Sequence, residues 1–195
     1  MRLDHIAYRV PNRDETVEHL TKMFGYYVAE EFTIDFDDGS KAECKAMVPP
    51  ENEKTSSLLG FIHFCQESVP VDGNEWNKEY QSYHLVPEIF VSEGTPGSIV
   101  EKWIKNTPKG QGGIHHLAYS TDRIDDDVKE WKDKGVEFLT EDVIDCPDDD
   151  LRQIFTKPQP LLGGVIIELI ERGDKGFCKN SVKQLMEATD ENRDK

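Results

Sequence analysis

Residues 3–10 read Leu-Asp-His-Ile-Ala-Tyr-Arg-Val, and residues 114–121 read Ile-His-His-Leu-Ala-Tyr-Ser-Thr. Superposing His5 on His116 also superposes Ala7 on Ala118 and Tyr8 on Tyr119. Both stretches are short and rich in apolar and aromatic residues, so each reads as a β-strand. Side chains alternate across a strand. Leu3, His5 and Ala7 therefore share one face of the first strand, and Ile114, His116 and Ala118 share the corresponding face of the second. His115 falls on the opposite face, beside Leu117 and Tyr119. A repeat of this kind makes two related supersecondary units the starting hypothesis for the fold.

The segments after the two strands are alike as well. Asn12-Arg13-Asp14-Glu15 opens a helical pattern whose apolar stripe is Val17, Leu20 and Phe24, closing at Gly25. Asp122 to Asp125 opens another, with Val128 and Trp131, closing at Gly135. Strand candidates come next: Tyr26 to Asp35 after the first helix and Val136 to Leu139 after the second. Phe36 to Ser40 carries an Asp-Gly hairpin signal leading into Lys41 to Val48. Leu58 to Gln66 and Leu85 to Ser92 are further strands, and Val69 to Tyr83 reads as an insertion loop. Gly97 to Asn106, with Ile99, Val100, Trp103 and Ile104, reads as a linking helix, broken by Gly110 to Gly113.

The pattern is α+β: tandem βαβββ modules. One domain over 1–195 is expected, with module one at about 1–95 and the linking helix at about 97–107. Module two comes at about 112–172 and a C-terminal helix at about 176–189, before a polar tail.

The metal expectation rests on three residues. Gly164 to Ile170 reads Gly-Val-Ile-Ile-Glu-Leu-Ile, and Glu168 is the single ionisable group in that apolar run. A buried, unpaired carboxylate costs several kcal/mol, so Glu168 needs a cation or a proton partner. Two imidazoles at repeat-matched positions and one carboxylate make a facial triad that leaves coordination positions open. His5, His116 and Glu168 are the expected ligands. His63, His84 and His115 are rival ligands, whereas His19 sits on a helix and is read as solvated. Glu88, in the strand candidate before the linking helix, is the favoured fourth ligand or catalytic base.

Composition narrows the class. With 195 residues the chain can bury a core, and 32% charged with 36% apolar residues suits a water-exposed globular protein. The formal net charge of -16 repels phosphate backbones, so nucleic acid is not an expected partner. The acidic clusters at Asp125–Asp127 and Asp148–Asp150 lack the alternation and turn glycine of a calcium loop. No apolar run reaches a membrane span and no signal-peptide core opens the chain, so a cytoplasmic location is expected. Cys44, Cys65, Cys146 and Cys178 form no CxxC pair and read as free thiols.

At these motifs the sequence resembles the vicinal-oxygen-chelate (glyoxalase-like) superfamily, which includes glyoxalase I, extradiol dioxygenases, methylmalonyl-CoA epimerase and 4-hydroxyphenylpyruvate dioxygenase. The resemblance covers roughly residues 3–48 and 85–187 and implies that the tandem βαβββ modules form a curled mixed sheet around a metal site. Leu151-Arg-Gln-Ile-Phe-Thr-Lys-Pro158, then Val165 to Arg172 and Lys175-Gly176-Phe177, look like the C-terminal part of 4-hydroxyphenylpyruvate dioxygenase. That resemblance implies iron ligation by Glu168 and substrate contact by Gln153, Phe155 and Phe177. The first half and the linker look more like methylmalonyl-CoA epimerase, at Asp4 to Tyr8, Phe24-Gly25-Tyr26 and Trp103 through Ala118. There the resemblance implies four ligands, with Glu88 as the extra one, and Glu43 as a loosely matched catalytic carboxylate. The dioxygenase's substrate motif Asn-Glu-Pro has only Gln66-Glu67-Ser68 near it, and a helix phenylalanine is replaced by Val182.

Two chemistries are therefore expected to compete. In the favoured one, Fe(II) on His5, His116 and Glu168 serves a dioxygenase acting on a 2-oxo acid, oriented by Gln153 and walled by Phe155 and Phe177. In the other, Co(II), Mn(II), Zn(II) or Ni(II) serves an epimerase or isomerase in which Glu43 and Glu88 move a proton. A non-catalytic binding module is a third reading and would not need the metal. The partners expected are a small-molecule substrate and a second copy of the chain in a homodimer, with no membrane.

Overall fold

In the computed structural model, which describes residues 1–49, 87–146, 150–172 and 179–191, the chain begins with β1 (Arg2–Arg9). Asn12 then caps α1 (Arg13–Phe24), its side chain accepting the Glu15 backbone N–H at 3.0 Å. Gly25 ends the helix in the left-handed region, at a φ of 76°. β2 (Tyr27–Asp35), β3 (Lys41–Val48) and β4 (Glu88–Gly94) complete the first half. α2 (Ile99–Lys105), capped by Ser98, crosses to the second. There β5 (Gly113–Ser120), α3 (Ile124–Asp133), β6 (Ile144–Cys146), β7 (Leu151–Phe155) and β8 (Ile166–Arg172) repeat the strand–helix–three-strand order. α4 (Lys179–Glu191) comes last.

The eight described strands form one mixed sheet in the order β2-β3-β4-β1-β5-β8-β7-β6. The order is symmetric about its middle. β1 and β5 lie antiparallel at the centre, each with the last strand of its own half parallel on its outer side. The repeat seen in sequence is therefore a pseudo-twofold axis passing between β1 and β5.

Alternation sorts the apolar residues onto two faces. On the outer face Val17 of α1 packs against Met47, Ile89 and Val91, and Ile124 and Val128 of α3 pack against Ile154 and Leu169. On the inner face Ala7, Phe32, Cys44 and Phe90 pack with Val100 and Ile104 of α2 and Met186 of α4. Phe155 and Ile166 pack with Leu185 there. Gly112, at a φ of 71°, brings the chain into β5 so close to β1 that a Cβ would lie 2.1 Å from the Arg9 carbonyl oxygen.

Several expectations need correction. Val136 to Leu139 is not a strand: Phe138 makes a single bridge to Thr156, and the strand after α3 comes later, at β6. Phe24 does not belong to the buried stripe, being 60% exposed. Cys146 is disulfide-bonded, while Cys44 is free and buried. Leu58 to Gln66, the Val69 to Tyr83 insertion, His63, His84 and Phe177 lie outside the described residues. Among the described residues, no helix is long and apolar enough to cross a membrane.

Candidate metal centre

The pseudo-twofold axis brings the two repeat-matched histidines together. β1 and β5 pair so that His5 faces Ala118 and Ala7 faces His116. With only alanine beside each, the imidazoles lean across the seam. Their rings meet edge to face, 5.3 Å between centroids at 82°. β8 runs beside β5 with Glu168 level with Ala118, which delivers the carboxylate to the same point.

The three side chains form a nearly equilateral triangle. His5 Nε2 and His116 Nε2 are 3.2 Å apart. Glu168 Oε2 lies 3.3 Å from each. Ligand atoms each about 2.1 Å from a common ion stand about 3.0 Å apart at right angles and about 3.4 Å apart at tetrahedral angles. The observed edges fall between these limits, so the donors present fit a divalent ion. All three residues are at least 94% buried. Among the described residues this is the one group of three His, Cys, Asp or Glu side chains close enough to hold a metal.

Without an ion the site balances its charge with a proton. Burial opposes charge on His5, but the Glu168 carboxylate, with hydrogen bonds to Asp4 and Glu168, outweighs it and lifts the imidazole to about 9. Burial, and then the charges of His5 and Arg9, push His116 well below the ordinary histidine value. One imidazolium and one neutral imidazole thus sit beside Glu168 at the centre.

The Glyoxalase/Bleomycin resistance protein/Dioxygenase superfamily matches residues 4–155. The chain belongs to this superfamily. No curated protein matches it. Its fold resembles a methylmalonyl-CoA epimerase at 20% identity and a TM-score of 0.58, over 89% of this chain and 97% of the epimerase. The epimerase from Mycobacterium tuberculosis is similar at 18% identity and a TM-score of 0.55, over 88% of this chain and 87% of that one. A variant of 4-hydroxymandelate synthase from Streptomyces coelicolor gives 20% identity and a TM-score of 0.67, over 98% of this chain. This chain spans about half of that synthase, 54% of its length.

In this superfamily member the site opens on the inner face of the sheet. The cavity above the triangle is lined by Phe90, Gln153, Phe155, Val182 and Leu185 besides the three candidate ligands. Gln153 is buried and its Nε2 has no hydrogen-bond partner. Phe155 is buried and its ring stands 5.9 Å from that of His116.

Glu88 lies elsewhere. In register it stands beside His5, and its carboxylate accepts from Arg172 Nη1 at 2.9 Å, outside the cluster. The pseudo-twofold counterpart of Glu168 is Phe90: Glu168 pairs with Ala118 and Phe90 with Ala7. Glu43 is level with Glu93 and takes part in the outer-face network, accepting from Thr33 Oγ1 at 2.8 Å with Arg13 Nη1 at 3.9 Å.

His115 departs from its expected place. Between Ala7–His116 and Tyr8–Ile114 the ladder shifts register, leaving His115 as an extra residue in β5. Its Nδ1 sits 3.0 Å from His116 Nδ1. Asp4 is the matching extra residue of β1, and its Oδ1 lies 2.9 Å from His5 Nδ1. Alternation alone cannot reveal either contact, because a bulge breaks the two-residue period.

Proposed function

We propose that the chain is a non-haem Fe(II) dioxygenase similar to 4-hydroxyphenylpyruvate dioxygenase, acting on a 2-oxo acid. The observation that carries this reading is Phe90. A four-ligand centre of the epimerase kind would place a polar donor opposite Glu168 across the axis, and here an aromatic ring occupies that position. Three ligands, His5, His116 and Glu168, leave positions free for a chelating substrate and a gas molecule together.

Bound to this triad, Fe(II) would supply the redox chemistry that activates dioxygen. The chain's own side chains do the rest. Gln153 Nε2, buried without a partner, is a donor ready for a carboxylate or keto oxygen of the substrate. Phe90 and Phe155 wall the cavity, and Val182 and Leu185 of α4 cover it, so that water is excluded from the reacting centre. Phe177 is proposed as a further wall residue. Glu88, tied to Arg172, is proposed to hold the rim in place beside His5 rather than to ligate.

The second reading is a metal-dependent epimerase or isomerase, and the near-complete coverage of an epimerase chain favours it. Its proton shuttle is harder to build, since Glu43 is engaged by Thr33 and Arg13 on the other side of the sheet. An oxygen electrode separates the two. Chain loaded anaerobically with Fe(II) is expected to consume oxygen with at least one of a panel of aryl and alkyl 2-oxo acids. No uptake, together with exchange of an acyl thioester's α-proton into deuterated water by the Co(II) or Mn(II) form, would replace the first reading with the second.

A further inference from the structure

We infer that Asp4 and His115 are paired positioning residues of the metal centre, and that His115 acts as a fixed hydrogen-bond acceptor. The inference rests on the metal reading above. Each residue directly precedes a ligand histidine, and each is the extra residue in a register shift of its strand. The two shifts are related by the pseudo-twofold axis. In both, the bulge turns onto the inner face a side chain that strict alternation would send outward. It then meets the Nδ1 of the histidine next in the chain, at 2.9 Å for Asp4 on His5 and 3.0 Å for His115 on His116.

Proton positions are set by which atoms can donate. The Asp4 carboxylate is held by Arg172 and only accepts. The Asp4 contact, at 2.9 Å, is shorter than the 3.4 Å approach of Arg172 Nη2 to the same nitrogen, so His5 carries a hydrogen on Nδ1 and presents Nε2 to the ion. For His116 the partner is another imidazole, so one of the two facing nitrogens must bear the hydrogen. His116 Nε2 points at His5 and Glu168. To bind a metal there, His116 must be protonated on Nδ1, and His115 Nδ1 must accept. His115 then keeps its own hydrogen on Nε2, an atom that is buried and has no hydrogen-bond partner. The His115 ring is fixed edge to face against Trp103, 5.3 Å between centroids at 75°, so it cannot easily turn to exchange its nitrogens.

The two ligands are thus held differently, His5 by an anion and His116 by a neutral ring. A carboxylate acceptor makes the imidazole that donates to it a stronger ligand than a neutral acceptor does. Losing either support should weaken the metal, and replacing it with another acceptor should restore it.

The test uses His115→Leu and His115→Asn, because the Asn Oδ1 can stand where the imidazole Nδ1 stands and accept from His116. Co(II) affinity is measured by competition with a chromophoric chelator, and nitrogen chemical shifts of His116 are recorded in the metal-free chain. His115→Leu is expected to weaken Co(II) binding 10- to 100-fold. His115→Asn is expected to stay within about threefold of the parent, an asymmetry that a purely space-filling role would not produce. The His116 shifts should show Nδ1–H. A folded His115→Leu chain that binds Co(II) like the parent overturns the inference and leaves the metal reading standing. A parent chain that binds no Co(II) overturns both. Should His115→Leu fail to fold, His116 found protonated on Nε2, or a His115→Asn chain as weak as a triad variant, overturns the inference alone.

Discussion

Replacing Glu168 by alanine is expected to remove the metal while leaving the fold. Tightly bound structural zinc is worth roughly 10–16 kcal/mol spread over four ligands, so each ligand contributes about 3 kcal/mol, or about two orders of magnitude in Kd. The triangle here has edges of 3.2–3.3 Å and only three corners. Two histidines alone should therefore bind at least about 100-fold more weakly, and the carboxylate's charge makes the loss larger. Folding responds less, because opposing effects meet at a side chain that is 2% exposed. The substitution leaves a cavity of about 50 Å³, costing on the order of 1 kcal/mol. It also relieves the desolvation of a buried carboxylate. Above about pH 9, where His5 has lost its proton and no ion pair with Glu168 is at stake, the metal-free variant should unfold in urea within about 1.5 kcal/mol of the parent. Metal content after anaerobic loading and desalting, read by mass spectrometry, should fall from near one ion per chain to less than about a tenth. A folded Glu168→Ala chain that retains stoichiometric metal would sink the triad.

Other outcomes rest on single contacts. The metal-free chain should lose stability as pH rises: the His5 pKa is raised to about 9 from the ordinary 6.5, so its contribution is fully present below 6.5 and is gone above 9. The loss can reach about 3 kcal/mol, and a urea midpoint that is flat or rising over that range in the presence of a chelator would contradict it. Gln153→Leu removes a buried donor that has no partner, so stability should hold or rise, while KM for the consumed 2-oxo acid rises about tenfold or more; an unchanged KM would exclude Gln153 from the substrate. Phe90→Gln supplies a donor opposite Glu168, and should tighten Co(II) binding while lowering oxygen uptake at least about tenfold. Unchanged uptake would remove Phe90 as the feature that separates the two chemistries. Gly112→Ala forces a Cβ to 2.1 Å from the Arg9 oxygen at a φ of 71°. It should cost at least about 2 kcal/mol by urea unfolding, and a smaller loss would show that the β1–β5 entry can shift.

The site's two histidines were legible because the repeat matched His5 to His116, and equivalent positions in equivalent strands meet across a twofold axis. Glu168 was legible because one charge stood in an apolar run. The neighbours were not. Whether Glu88 or Phe90 stands opposite Glu168 depends on a register between β1 and β4, strands far apart in sequence, and a slip of two residues is invisible to periodicity. Asp4 and His115 reach the inner face only through bulges, which come from pairing and not from local composition. The second strand of the second half was misplaced for a related reason. Val136 to Leu139 has the composition of a strand, but its contact with the sheet is the single bridge at Phe138.

The central pairing of β1 with β5 has a further consequence. Each half of the chain contributes one candidate ligand histidine, and neither holds the whole site. An ion seated between them acts as a rivet driven through a seam, and its binding free energy becomes cohesion between the two halves. Each tenfold excess of free metal over Kd adds about 1.4 kcal/mol to that cohesion. Metal supply would then set how firmly the two halves of the sheet stay joined.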